Sequence, residues 1–303
     1  MLVGPDLGGG QPGHQGPAEA ARPNEPRPHG FGSDGPAQHG PAQHGPGPDG
    51  PGSQRTGLRS RPTGLRRWAG WIEAACILAA YEVFDGVRAK VQGSAGPSLH
   101  HADQVIGIER LLGLFQEARI QHWMLPHHLI IQCWDIWYGT VHFIIPPLAL
   151  LLLYRRCPAR YRHHRDALFI LSLLALACFW LWPLAPPRLI PAHYRFVDTA
   201  STIGGMGPAD RGHLKDDNLY AAMPSLHIGW SAWCAVVLVP LLKSWWSKLL
   251  AVAYPLVTLT AVVVTANHFF LDGIAAVAFL AAGWLLAIPV DRYLRPKWRP
   301  SNS

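Results

Sequence analysis

Charge is scarce in this chain. Asp, Glu, Lys and Arg make up 15% of its 303 residues, against roughly 25% in an average soluble domain, which excludes an ordinary soluble enzyme. Metal-type cysteine spacing is missing too. The five cysteines (Cys76, Cys133, Cys157, Cys178, Cys234) are odd in number and isolated, so no disulfide framework is expected. The first sixty residues have almost no Ile, Val or Leu, and no basic segment followed by an apolar one, so a cleaved signal peptide is not expected there. The rest of the chain is apolar. Hydrophobic residues reach 49% with thirteen Trp, and they are spread over residues 68–290, which excludes a single-span anchor on a globular head.

Gly, Pro, His and Gln dominate the N-terminal stretch, and Ala37-Gln38-His39-Gly40-Pro41 is repeated as Ala42-Gln43-His44-Gly45-Pro46. Residues 1–66 are therefore expected to be a disordered tail, and 293–303 a short basic one. Between them lie six apolar stretches near the length of about 20 helical residues that a bilayer requires. They fall at about 69–89, 129–153, 167–184, 223–242, 249–266 and 270–288. The expected fold is an all-α membrane protein with six transmembrane helices over residues 67–292.

Basic residues orient such a bundle, because cytoplasmic segments carry the Lys and Arg excess. Eighteen of the 26 fall in the two tails, the loop after the second span, and the loop holding Lys243 and Lys248. Both termini are expected to be cytoplasmic, in the cell membrane. The formal charge of +7 then reports topology, not nucleic-acid binding. Two segments on the opposite side are long. In 98–127, Val105, Ile108, Leu112 and Phe115 recur at helical spacing with Glu109, Arg110, Gln116 and Glu117 between them, which predicts an amphipathic helix on the membrane surface. Residues 185–222 read as an extracytoplasmic loop.

Chemistry-bearing residues gather at the extracytoplasmic ends of the spans. Arg188 follows the third, Ser225 and His227 open the fourth, and Asn267, His268 and Asp272 lie between the fifth and sixth. His268 and Asp272 are four apart, about 40° around a helix, and so share a face. A carboxylate on one imidazole nitrogen fixes the tautomer and frees the other nitrogen to attack an electrophile. A second His protonates a leaving alkoxide, and an Arg offers planar donors to phosphate oxygens. These parts suit phosphoryl transfer through a phosphohistidine, with no metal or other cofactor. A zinc site is the alternative for two His and an Asp, although catalytic zinc usually takes three protein ligands.

Pro224-Ser225-Leu226-His227 resembles the second motif of the type 2 phosphatidic acid phosphatase superfamily, with Leu in place of Gly. His268 and Asp272 resemble its third motif, and Arg188 the Arg of its first. The resemblance covers roughly residues 70–290. It implies a six-helix core and an extracytoplasmic site. It makes His268 the nucleophile, Asp272 its partner, His227 the acid for the leaving group, and Arg188 and Ser225 phosphate ligands. Two cations of the motifs are absent, since their positions fall on Leu181 and Val262. That departure, with the stretch from Tyr220 to His227 and that from Asn267 to Asp272, is similar to the inositol phosphorylceramide synthase and sphingomyelin synthase branch, in its bacterial form. It implies a lipid phosphatase or phosphotransferase, inositol-phosphate transfer included, acting on a membrane lipid. Substrate, acceptor and oligomeric state are left open.

Asp135, Tyr138 and His142 place further polar groups on the second span. Ionisable residues at such depth are functional candidates, either lining a headgroup pocket or joining helices by hydrogen bonds. Glu73, Glu82, Asp85 and Arg88 of the first span are expected to pair with one another or face the interface. A six-span transporter or a non-catalytic lipid scaffold is the competing class. It lacks the paired, interrupted helices of repeat-built transporters.

Overall fold

The computed structural model describes residues 64–91, 93–203 and 218–294. The expected tail over 1–66 lies almost wholly outside them, as does most of 293–303. The described residues are helical, without a strand. In chain order the helices are α1 (Gly64–Lys90), α2 (Ala95–Leu111), α3 (Glu117–Met124), α4 (His128–Arg156), α5 (Pro158–Leu181), α6 (Thr199–Thr202), α7 (Leu226–Leu238), α8 (Trp245–Val264) and α9 (Phe270–Pro289).

Four of these, α4, α5, α8 and α9, are long and apolar enough to cross a membrane. The six expected stretches all become helix, but two differ in character. Charged residues such as Glu73, Glu82 and Asp85 interrupt the apolar run of α1. The fourth stretch yields only 13 helical residues in α7, because Pro224 and the capping Ser225 delay its start and the helix gives way to a turn after Leu238. The outward sides of the long helices carry bare apolar residues, among them Leu129, Ile136, Phe143 and Ile144 on α4. A hydrocarbon environment satisfies those faces.

Packing of the bundle depends on small residues and satisfied indoles. Gly283 of α9 lies so close to α5 that an added Cβ would sit 2.7 Å from the Ala167 carbonyl oxygen. Trp233, fully buried, packs with Leu153, Leu171, Tyr254 and Leu280, and its indole N–H donates to the His164 carbonyl at 2.9 Å. A second apolar cluster (Ala102, Ile106, Leu184, Met223, Phe269) joins α2 to the ends of α5, α7 and α9.

The expected surface helix over 98–127 is instead two helices, α2 and α3, meeting at Gly113, whose φ of 71° suits a residue without Cβ. Its polarity is also reversed in part. Ile108 and Leu112 are exposed, while Glu109 and Glu117 are completely buried. Periodicity placed those two carboxylates on the wet side; hydrogen bonds to α9 place them inside.

Candidate active site

The turn between α8 and α9 is the centre of the site. Ala266 adopts φ 53°, a left-handed conformation that costs an L-residue roughly 1–2 kcal/mol. Two backbone N–H groups, of Asn267 (2.9 Å) and His268 (3.3 Å), converge on the Val262 carbonyl, and these bonds hold the strained turn. The Arg188 N–H donates to the Ala266 carbonyl at 2.9 Å. The same turn thus collects Arg188 from a distant part of the chain, and the Arg188 guanidinium donates to the Asn267 side-chain carbonyl.

His268 is not on the helix, as its spacing from Asp272 suggested; α9 begins two residues later. The pairing survives by another route. Asp272 sits in the first turn of α9, and its Oδ2 accepts both the Phe269 N–H at 2.9 Å and a bond from His268 Nδ1 at 3.3 Å. One carboxylate oxygen therefore caps a helix and orients an imidazole. Asp272 is fully buried and His268 is 5% exposed.

His227 faces this pair with its ring centroid 5.9 Å from that of His268. Two residues of α4 fix the His227 ring. Tyr138 stacks on it at 4.2 Å, and His142 meets it edge-on at 4.4 Å. His227 Nε2 is inaccessible and meets no hydrogen-bond partner among the described residues. Ser225 is buried; its hydroxyl oxygen accepts the Ile228 N–H at 3.5 Å, capping α7. The Ser225 N–H in turn donates to the Asp272 carbonyl at 3.1 Å, tying α7 to α9.

The remaining candidates divide. Tyr138 and His142 join the site, and Asp135, also on α4, accepts from the Thr199 hydroxyl at 2.8 Å. Tyr220 acts through its backbone, its carbonyl accepting the Leu184 N–H at 2.8 Å. Glu73 does not pair within α1; Arg165 of α5 donates to it, and Tyr161 donates at 3.0 Å. Arg88 does pair with Asp85 at 3.0 Å. Lys215, a cation of the 185–222 loop that could stand in for one of the two missing motif cations, lies outside the described residues.

Asn218 had no sequence signal. Its amide donates to the Arg88 and Val91 carbonyls at 3.1 and 2.9 Å, and it lines a cavity of about 30 Å³ with Arg188, Asn267 and His268. A much larger groove of about 700 Å³ runs between α1, α4 and α5. Its wall is almost wholly apolar, with Tyr81, Phe143, Leu150, Leu168 and Trp230 prominent, and His142 belongs to it as well. One His142 ring thus touches both the groove and His227.

The family model of the PAP2 superfamily matches residues 103–286, a span that contains Arg188, Ser225, His227, His268 and Asp272 and more than half of the chain. The chain belongs to the PAP2 superfamily. Members of this superfamily are generally phosphatases or phosphotransferases, so activity on lipid phosphates is the chemistry that membership indicates. Comparison with curated proteins and with solved structures returned no match in either case.

Proposed function

We propose that this PAP2 protein is an integral membrane phosphatase or phosphotransferase that uses His268 to attack a lipid phosphate or phosphodiester. The observation that carries the reading is the His268–Asp272 pair, bonded at 3.3 Å and facing the His227 ring. Asp272 accepts the Nδ1 proton, which leaves the lone pair of Nε2 for phosphorus. The Nε2–P bond forms as the bond from phosphorus to the alcohol oxygen breaks. His227 gives its proton to that oxygen. A water or alcohol hydroxyl then attacks the phosphohistidine, returns a proton to His227 and frees His268.

Arg188 is the phosphate ligand of this scheme, its planar donors moving from the Asn267 carbonyl to the non-bridging oxygens. Ser225 keeps its hydroxyl proton while capping α7, so that proton serves a second phosphate oxygen. The groove supports a lipid substrate, because a hydrocarbon chain lying in it would end beside His142 and hence beside His227. The excess of basic residues in the opposite loops supports an extracytoplasmic site. Resemblance to the inositol phosphorylceramide synthase branch favours an alcohol acceptor and inositol-phosphate transfer. Burial of His268, at 5% exposed, is in keeping with an acceptor that is bound instead of bulk water.

The test is release or transfer of radiolabelled phosphate from a panel of lipid phosphates and phosphodiesters by detergent-solubilised protein. Wild type should turn over at least one of them and His268→Ala none. Equal turnover by both would refute the His268 mechanism, and a wild type that turns over none of them would return the chain to the transporter or scaffold class.

A further inference from the structure

We propose that Glu109 and Glu117 are positioning residues for the His268–Asp272 pair, holding the first turn of α9 from the two helices that lie outside the long bundle. The inference rests on the function proposed above for His268.

The first N–H groups of a helix have no partner within it. In α9 three successive ones are each taken by a carboxylate. Phe269 N–H donates to Asp272 at 2.9 Å, Phe270 N–H to Glu117 at 3.0 Å, and Leu271 N–H to Glu109 at 2.7 Å. Two of these carboxylates come from more than 150 positions away, from α3 and α2 respectively. Both are completely buried. One of these helices also holds the other side of the turn, since the Gln121 amide of α3 donates to the Val264 carbonyl at 3.1 Å. The segment from Val264 to Asp272 is therefore clamped at both ends.

Three full negative charges at one helix end exceed what its dipole compensates. Glu109 resolves the excess by keeping its proton. Burial, with a hydrogen bond to Glu117 and its charge, pushes the Glu109 carboxyl up from 4.5 to about 9. The charged groups facing Glu109 are Glu117 from α3 and Asp272 from α9. Arg110 lies over the Phe115 and Tyr194 rings, at 5.1 and 5.5 Å. No other donor reaches the remaining oxygens of Glu109 and Glu117 among the described residues. With Glu109 raised, the clamp is intact while the proton is held, and it weakens as pH rises through about 9.

Two measurements test this on the full-length protein in detergent. The first is the pH profile of turnover on a responsive lipid phosphate. Glu109→Ala with Glu117→Ala should lower kcat by about tenfold or more while KM changes less than about twofold, and Glu109→Gln should recover most of kcat. Glu109→Gln keeps an acceptor for Leu271 and a permanent donor for Glu117, so its alkaline decline should move above that of wild type. The second is backbone hydrogen exchange of residues 265–272. Their protection should fall in the double Ala variant while that of α4 and α5 stays. Unchanged protection of 265–272, or superimposable alkaline limbs for wild type and Glu109→Gln, would overturn the inference. A wild type inactive on every lipid would refute the proposed function instead, leaving the exchange result to decide this one.

Discussion

Asp272→Asn isolates the charge of Asp272 from its shape. The Asn carbonyl can stand where Oδ2 stands and still accept from Phe269 N–H and His268 Nδ1, at 2.9 and 3.3 Å. The amide group then takes the place of Oδ1, which meets no hydrogen-bond partner among the described residues. The cap, the ring orientation and the packing survive, and one negative charge is lost. Two unit charges 3.3 Å apart interact by about 5 kcal/mol at an effective dielectric constant of about 20. That is an upper limit on what Asp272 contributes as His268 becomes cationic on bonding to phosphorus. About half of it, or 2–3 kcal/mol, corresponds to roughly 10²-fold in rate. In serine-protease triads the same exchange costs about 10⁴, by forcing the wrong tautomer. The expected fall in kcat is therefore between roughly 10² and 10⁴. Single-turnover release of labelled phosphate measures it directly, with thermal unfolding as the control on folding. A fall smaller than tenfold in a normally folded variant would show that the charge of Asp272 is idle and would refute the role assigned to it.

Ala74→Phe fills the groove beside α1 and should raise KM severalfold for long-chain substrates while sparing short-chain ones, as read by kinetics across a chain-length series. Gly283→Ala forces a Cβ to within 2.7 Å of the Ala167 carbonyl and should destabilise the bundle by about 1–3 kcal/mol, visible as a lower thermal midpoint. In a cysteine-free background, Trp123→Cys on α3 should react with an impermeant maleimide in intact cells, and Arg162→Cys on α5 only after permeabilisation. The reverse pattern would invert the proposed topology.

Much of the site was legible because its residue types are costly to place at a membrane interface. Arg188, His227 and His268 drew attention for that reason, and the structure gathers all three. The pairing of His268 with Asp272 was anticipated from helical spacing, yet it arises from a capped helix start, where a carboxylate in the first turn reaches back. Local spacing cannot separate those two geometries. On α4 the spacing of Asp135 and His142 did not reveal that they bond to different partners, Thr199 and the His227 ring. Glu109 and Glu117 were illegible. Their burial depends on backbone donors 162 and 153 positions away, which no periodicity within 98–127 encodes. The short α7 and the charged α1 escaped the hydropathy pattern similarly, since a cap and scattered charges count for little in an average.

Asp272 uses one oxygen both to start α9 and to aim the imbalance of charge at His268. Forming the last helix and readying the imidazole are thus a single event. A chain emerging from synthesis carries Arg188 and His227 well before that oxygen exists, and until α9 forms nothing aims the His268 imidazole.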